Sequence, residues 1–389
     1  MRGATPALAL VLLALSACRR PAFPVYPADY REFAYVANGG SNTVTVLDLV
    51  HLRQERVIPV GANPSGLAAS PTRNEVYAVN TSGNTVSVID AETNRVTATL
   101  PVHRRPYSID VDRQGARAYV ANSASNDVSV LDLERRRVVA TVGAGEGAGL
   151  ARIAPDNRTL VVSNRVGGSV SLIDGQTLHL RATFAGCPQA TDIAVLPDAS
   201  RAYVACSGGH QVMVLGLAHD ATRSAPAEPD RLLTMLDVGR TPVQLALKPD
   251  GGELFVSNFD SDTISEVATG TSEVGGAYIV GAHPSHGLVS ADNSLLWVAN
   301  FNADTIAVYS IDDGKLINTV HVGGGPDALA FSSEGHLLLA ANARTGDVSV
   351  VRTLSRKPGG AQVFGTLFTM LPAGRQPNAI VIKAFRTHR

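Results

Sequence analysis

The hydrophobic pattern of this chain is short, alternating and repeated. Residues 85–90, Thr-Val-Ser-Val-Ile-Asp, alternate polar and apolar positions with the period of a half-buried β-strand. The apolar segment 75–80, Glu-Val-Tyr-Ala-Val-Asn, precedes it, and a Thr-Ser-Gly-Asn turn separates the two. Two further strand patterns follow at residues 95–102 and 107–111. One unit of the pattern therefore predicts four short antiparallel strands.

This unit returns along the chain at a nearly constant spacing. The first copy is Tyr35-Val36-Ala37-Asn38, and its closing position recurs every 42 residues with a single step of 52. That position is occupied by Asn38, Asn80, Asn122, Asn164, Cys206, Asn258, Asn300 and Asn342. A period of about 40–45 residues made of short strands is typical of a β-propeller with one repeat per blade. We therefore predict an all-β fold, a single β-propeller of eight four-stranded antiparallel blades. Seven blades is the alternative, if the repeat from Leu337 is irregular.

The chain ends are expected to close the ring. The last innermost strand pattern, residues 379–384, has no partner except the first strand at residues 33–38. Pairing the two would remove an open sheet edge. This gives a propeller over residues 33–384 and a tail over residues 385–389. The strand-ending asparagines are expected to hydrogen-bond the backbone of the following turn, which makes them structural rather than catalytic.

Composition is consistent with one closed domain and narrows the partners. The chain has 389 residues, of which 45% are hydrophobic and 17% charged, and its formal net charge is −1. A net charge near zero does not indicate the basic surface that binds nucleic acid, so we expect no nucleic-acid partner.

The N-terminus predicts export. Arg2 and the apolar stretch 8–15 resemble a signal peptide, and Leu15-Ser16-Ala17-Cys18 resembles the bacterial lipobox, in which the cysteine is lipidated. We expect a lipoprotein signal peptide over residues 1–17, lipidation of Cys18 and a proline-rich tether over residues 18–32. The protein would be anchored to a bacterial membrane, periplasmic or at the cell surface, and would contact the membrane through the anchor only. An ordinary secretory signal is the alternative.

Two further cysteines fall in the fifth repeat. Cys187 precedes an innermost strand and Cys206 ends the neighbouring strand, both on the same face of the propeller. Exported thiols tend to oxidise, so a disulfide is predicted. A Cys-Cys-His metal set with His210 and a pair of buried free thiols are the alternatives.

The repeat resembles that of the YVTN-type (YncE-like) β-propeller family, from the Tyr-Val-Ala-Asn and Thr-Val-Ser-Val motifs across nearly all of residues 33–384. The resemblance implies the propeller fold, and it implies export and binding more than any one reaction.

Candidate binding residues lie in the loops that lead into the innermost strands. Most of these lead-in loops are small, such as Gly61-Ala62-Asn63-Pro64, whereas others carry cationic or aromatic side chains. The candidate ligand-binding residues are His103, Arg104, Arg105, Tyr107, Arg240, His283, His286 and Arg375. The His103 and His283 loops lie four blades apart, so they should face each other across the ring. A cationic channel mouth would suit an anionic ligand, because guanidinium groups bind carboxylate and phosphate through paired hydrogen bonds.

The leading functional hypothesis is a non-enzymatic, monomeric binding or scaffold propeller of the cell envelope, with an envelope protein or a small anionic ligand as partner. It needs no cofactor and no metal. A propeller hydrolase of the lactonase type is the first alternative, although no Gly-x-Ser-x-Gly motif is present. A haem d1-like or metal-binding redox protein is the second, because such eight-bladed domains use an axial histidine.

Overall fold

A computed structural model describes residues 25–219, 228–356 and 361–387. The first eight strands are β1 (Tyr30–Asn38), β2 (Thr43–Asp48), β3 (Arg53–Pro59), β4 (Pro64–Ala69), β5 (Glu75–Asn80), β6 (Thr85–Asp90), β7 (Arg95–Pro101) and β8 (Pro106–Val111). The next eight are β9 (Arg117–Asn122), β10 (Asp127–Asp132), β11 (Arg137–Gly143), β12 (Ala148–Ile153), β13 (Thr159–Asn164), β14 (Ser169–Asp174), β15 (Leu180–Ala185) and β16 (Ala190–Val195).

The second half of the chain continues the same pattern. Its strands are β17 (Arg201–Cys206), β18 (Gln211–Gly216), β19 (Arg231–Asp237), β20 (Pro242–Leu247), β21 (Glu253–Asn258), β22 (Thr263–Ala268), β23 (Glu273–Ile279) and β24 (Pro284–Val289). The last are β25 (Leu295–Asn300), β26 (Thr305–Ser310), β27 (Lys315–His321), β28 (Pro326–Phe331), β29 (Leu337–Asn342), β30 (Asp347–Arg356), β31 (Gln362–Pro372) and β32 (Pro377–Arg386). Two short 3₁₀ helices, Ser207–Gly209 and Phe259–Ser261, are the helical segments of these ranges.

The strands form eight four-stranded antiparallel sheets, which confirms the eight-bladed propeller. Blade 1 has the strand order β32-β1-β2-β3 from the inside outward, blade 2 has β4 to β7, and each later blade takes the next four strands. The innermost strands β32, β4, β8, β12, β16, β20, β24 and β28 contact one another in that order, and β28 contacts β32. They therefore enclose a central channel, which we call the lumen.

Blade 1 joins the two ends of the chain. β1 and β32 pair antiparallel, with Tyr30 opposite Arg386 and Phe33 opposite Lys383. Lys383 also donates from Nζ to the carbonyl oxygen of Ser70 in blade 2, at 2.7 Å. The closing strand is therefore bonded both within its own blade and to the next one.

The hydrophobic core lies between blades rather than within one of them. A typical cluster combines Tyr77 and Val79 of blade 2 with Val120 and Leu131 of blade 3. Alternating side chains of each strand point to opposite faces of the sheet, so every blade contributes to two such clusters. This is why a period of two in each strand produces a closed ring of interfaces.

The strand-ending asparagines have a different partner from the one expected. Asn38 donates from Nδ2 to the hydroxyls of Thr43 and Thr45, at 3.1 and 2.9 Å. Asn164 does the same with Ser169 and Ser171. The turn brings the second strand back beside the asparagine, so side-chain hydroxyls lie closer to its amide than the turn backbone does. The residues are structural, and the bond joins two strands of one blade.

Candidate functional site

One face of the propeller carries both the turns that follow the Tyr-Val-Ala-Asn strands and the lead-in loops. In blade 2, Thr81 N donates to the carbonyl oxygen of Asn63 at 2.9 Å, which joins the turn to the loop. In blade 3, Ser123 N donates in the same way to the carbonyl oxygen of Arg105. We call this face the mouth, since it surrounds one end of the lumen.

Each lead-in loop contains one residue with left-handed backbone. Arg105 has φ of 51° and His283 has φ of 55°, whereas glycine occupies the equivalent position at Gly147 and Gly325. This conformation is uncommon for residues with a Cβ. A side chain from the preceding blade bonds the loop at that residue: Asn84 Oδ1 accepts from Arg105 N at 2.9 Å. Asp262 Oδ1 accepts from His283 N at 2.8 Å. The two large side chains are therefore presented at fixed places on the mouth.

The arginines of the mouth divide into bonded and unbonded groups. Arg240 donates from Nη2 to the carbonyl oxygen of Asp260 at 2.7 Å, and Arg104 donates to that of Ala124 at 3.3 Å. Arg105 and Arg375 are exposed, and within the described ranges no side-chain hydrogen bond or ion pair involves either guanidinium. Tyr107, at the start of β8, is 41% exposed. The guanidinium donors of Arg105 and Arg375 are thus free for a ligand, whereas their backbone N–H groups are bonded to the fold.

His103 is held by the fold. Its Nδ1 lies 2.6 Å from Oδ2 of Asp127. The other carboxylate oxygen of Asp127 accepts from Nδ2 of Asn122 at 2.7 Å. Asp127 stands where five sister blades have threonine or serine, and Asp347 of blade 8 accepts from Asn342 in the same way, so this pairing is a variant of the asparagine–hydroxyl bond. His103 contributes to the mouth surface with one ring nitrogen already engaged.

His283 belongs to an aromatic group on the mouth. Its ring lies edge-on to Phe259, with centroids 4.5 Å apart, and Phe259 lies 6.4 Å from Phe301. The Arg344 guanidinium carbon lies 4.9 Å from the Phe301 ring centroid, a cation–π distance. We call Phe259, His283 and Phe301 the aromatic ledge. It crosses blades 6 and 7 and ends at blade 8.

The lumen contains polar side chains from the innermost strands, some of which bond the free backbone edge of the next strand. Asp192 accepts from Leu245 N at 2.9 Å, and Gln244 accepts from Gly287 N at 2.8 Å. Asp110 accepts from Ile153 N at 2.9 Å and lies 3.6 Å from Nη1 of Arg152. These side chains satisfy donors that no strand covers, a structural role that edge strands require.

Two lumen residues have no such role. No hydrogen bond in the described chain involves the side chain of His286 or Asp327. Burial, and secondarily the Arg152 charge, lowers the pKa of His286 to about 4, so its imidazole is neutral at ordinary pH. Burial also raises the pKa of the Asp327 and Asp192 carboxyls, although Arg152 opposes this at Asp192.

Cys187 and Cys206 form a disulfide, with Cα atoms 4.7 Å apart. The two sulfurs are bonded to each other, and His210 Nδ1 accepts from Thr241 N at 3.2 Å. The alternative Cys-Cys-His metal set is therefore absent from this arrangement. No group of three or more His, Cys, Asp or Glu side chains in the described part of the chain is placed to hold a metal ion.

Some of these residues were missed from the sequence. The lumen residues Asp110, Arg152, Asp192 and Asp327 lie inside strand patterns, where an isolated polar residue looks like a normal outward position. The repeat alignment itself was the available signal: sister innermost strands have Ala68 and Ala246 where Asp110 and Arg152 stand. Phe259 and Phe301 were detectable in the same way.

The lipidation residue Cys18 lies outside the described residues. No helix in the described ranges is long and apolar enough to cross a membrane.

Comparison with known proteins supports the family and the fold. The family model described as YNCE-like β-propeller matches residues 17–149, and that described as lactonase, 7-bladed β-propeller, matches residues 279–357. The YncE-like match covers about a third of the chain and supports the resemblance of those repeats to this family. No curated protein matches the chain.

Solved structures similar to this chain are distant in sequence and show the fold alone. The dihydro-heme d1 dehydrogenase NirN in complex with DHE has 16% identity and a TM-score of 0.72, covering 94% of this chain and 77% of that one. A putative 6-phosphogluconolactonase from Bacteroides fragilis has 15% identity and a TM-score of 0.60, covering 93% and 100%. Hydrazine synthase of Kuenenia stuttgartiensis has 18% identity and a TM-score of 0.56, covering 75% and 95%.

Proposed function

Because its repeats are of the YncE-like type, we propose that this propeller is an envelope-anchored binding protein that receives an anionic ligand at its mouth. The ligand presents a carboxylate or a phosphate, alone or on a protein surface. The single observation that carries the proposal is the pair of free guanidinium groups of Arg105 and Arg375 on one face. Arg105 is fixed there by a backbone conformation that arginine rarely adopts.

The surroundings of the mouth favour an anion over a cation at these two sites. The acidic residues Asp260, Asp262 and Asp304 belong to blades 6 and 7, whereas Arg105 and Arg375 belong to blades 3 and 1. An arginine with all donors free can bind a carboxylate or phosphate through two parallel hydrogen bonds. The ligand would therefore lie away from Asp260, Asp262 and Asp304. In blade 3, Asp127 has both carboxylate oxygens engaged by His103 and Asn122, whereas Glu146 in the lead-in loop of blade 4 is exposed.

Calorimetric titration with pyrophosphate as a probe tests the proposal. The protein would be residues 18–389 with Cys18→Ser, so that no lipid is attached. We expect Arg105→Ala together with Arg375→Ala to weaken pyrophosphate binding at least tenfold, because each charge-assisted bond contributes about 1.5–3 kcal/mol. Arg113→Ala is the matched control, since Arg113 is an exposed arginine in the turn between β8 and β9 on the opposite face. Equal binding by all three proteins would refute the proposal.

A tetrapyrrole ligand is a second candidate, favoured by His286. A neutral imidazole without a hydrogen-bond partner among the described residues could coordinate the metal ion of such a ligand. A similar fold occurs in the NirN structure, which was determined with DHE. The free arginines would suit tetrapyrrole carboxylates. Titration with haem, followed by visible absorption, should give a saturable Soret shift that His286→Ala removes, and an identical spectrum in both proteins would eliminate this candidate.

A further inference from the structure

The turns of the mouth differ in one feature that folding does not require. At the first residue after the Tyr-Val-Ala-Asn strand, most blades have a small side chain. These residues are Gly39, Thr81, Ser123, Ser207 and Ala343. Blades 6 and 7 have Phe259 and Phe301 instead, and blade 4 has Arg165. Since the small residues form the same turn, the two phenylalanines are not needed to make it.

The phenylalanines keep part of their surface open. Both are half-buried, and the His283 side chain is 33% exposed. The Arg344 guanidinium covers one side of Phe301 and is itself bonded to Asp304 at 3.1 Å, so that its charge is paired. The aromatic ledge is thus a cluster of three partly exposed rings on two neighbouring blades, edge-on or tilted relative to one another, with carboxylates beside it.

The nearest blade beyond blade 8 carries the guanidinium of Arg375, which is unpaired among the described residues. Blade 8, with Arg344, follows the ledge, and blade 1, with Arg375, follows blade 8, because β28 contacts β32. Asp260, Asp262 and Asp304 would repel an anionic group placed on the ledge itself. A ligand therefore has one favourable orientation there, with an uncharged ring on the ledge and its negative charge towards Arg375.

We infer that the anion received at the mouth carries an aromatic ring, as an aromatic carboxylate or an aromatic phosphate ester, which packs against the rings of Phe259 and Phe301 while Arg375 binds the charge. This inference rests on the proposed function and adds the chemical class of the ligand. Aromatic rings prefer offset or edge-to-face contact with one another, so an aromatic ligand gains more here than a saturated ring of equal size.

Two probes of equal charge separate the ring from the anion. Benzoate and cyclohexanecarboxylate each carry one carboxylate, and only the first is aromatic. We expect the Cys18→Ser protein to bind benzoate about tenfold more tightly by calorimetry, which is about 1.4 kcal/mol. Phe301→Leu should abolish this preference and leave the affinity for the saturated probe unchanged. Arg375→Ala should weaken both probes.

The matched control is Phe368→Leu, because Phe368 is a 44% exposed phenylalanine on the outer strand β31. It should retain the preference for benzoate. Each phenylalanine has an arginine guanidinium over its ring, so both variants should lose a similar small amount of stability and remain folded at the temperature of the titration. Equal affinity of the Cys18→Ser protein for the two probes would overturn the inference that the ligand is aromatic. If Arg375→Ala still weakened the binding of both probes, the anion site itself would remain supported. Failure to bind either probe would overturn this inference, and unchanged pyrophosphate binding in the arginine variants would separately overturn the proposed function.

Discussion

At the residue scale, the disulfide of blade 5 replaces a contact that other blades make without sulfur. Six of the seven sister blades have glycine where Cys187 stands, the exception being His103 in blade 3, and all seven have asparagine where Cys206 stands. A Cβ added at Gly61 would lie 2.6 Å from Cγ of Asn80, so the two positions touch in blade 2 as well. Met213, fully buried, takes the place of the hydroxyl residue that the asparagine would bond. The three substitutions therefore form one set.

Restoring two of the sister residues should be unfavourable. Cys187→Gly with Cys206→Asn removes the disulfide, which typically contributes about 2–4 kcal/mol, and buries an amide with no hydroxyl opposite it. Met213→Ser supplies that hydroxyl but also removes a fully buried side chain. We expect urea denaturation to show that Met213→Ser costs about 1 kcal/mol less in the double variant than in the wild-type protein, because its hydroxyl has a partner only there. An equal cost of Met213→Ser in both backgrounds would show that the three positions are independent.

His286 should make folding stability depend on pH in a known direction. Its folded pKa of about 4 is below the ordinary value of about 6.5, so the unfolded chain takes up a proton first as the pH falls. Stability is therefore fully present above pH ~6.5, decreases towards pH ~4 and loses at most about 3 kcal/mol.

His286→Gln should reduce the change of the urea midpoint between these two pH values, because glutamine does not titrate. His321→Gln is the matched control, since His321 is exposed at the end of β27. If the wild-type protein and His286→Gln have the same pH dependence over that window, His286 is not buried in its neutral form.

At the element scale, the strands were predictable from the sequence because their positions follow from a repeat. The expected pairing of residues 33–38 with residues 379–384 lies within the observed contact of β1 with β32. What could not be predicted was which innermost strands would carry polar side chains. Asp192 accepts from Leu245 N, 53 residues away and one residue beyond the matching position of the next repeat, but the repeat does not indicate that an acidic side chain stands there. The site is the part where sister blades differ, so the repeat carries least information there.

Removing the closing strand should damage the whole ring. Deletion of residues 377–389 leaves β1 with an open edge and removes the bond from Lys383 to Ser70. We expect an insoluble protein, or one that unfolds over a broad temperature range in calorimetry. Truncation after Arg386 is the control, because it keeps all of β32. If the protein without β32 melts as sharply as the control, the ring does not depend on the pairing of β1 with β32.

At the scale of the whole molecule, the position of the mouth relative to the N-terminus follows from the direction of β1. The strand begins at Tyr30 and ends at Asn38, and the turn after Asn38 is on the mouth. The N-terminal side of β1 therefore leaves the propeller at the opposite face. If the chain is anchored at Cys18, the mouth faces away from the membrane, which is the orientation a soluble ligand needs.

Anchoring at Cys18 predicts where the protein is found in the cell. Replacement by serine removes the lipidated residue, and each buried CH₂ of an acyl chain contributes about 0.8 kcal/mol to membrane binding. We expect Cys18→Ser to move the propeller from the membrane to the soluble fraction. The variant should have no free thiol after denaturation without reductant, because Cys187 and Cys206 are bonded to each other. A folded Cys18→Ser protein that still sediments with membranes would place the attachment elsewhere, and the orientation of the mouth would then lose its basis.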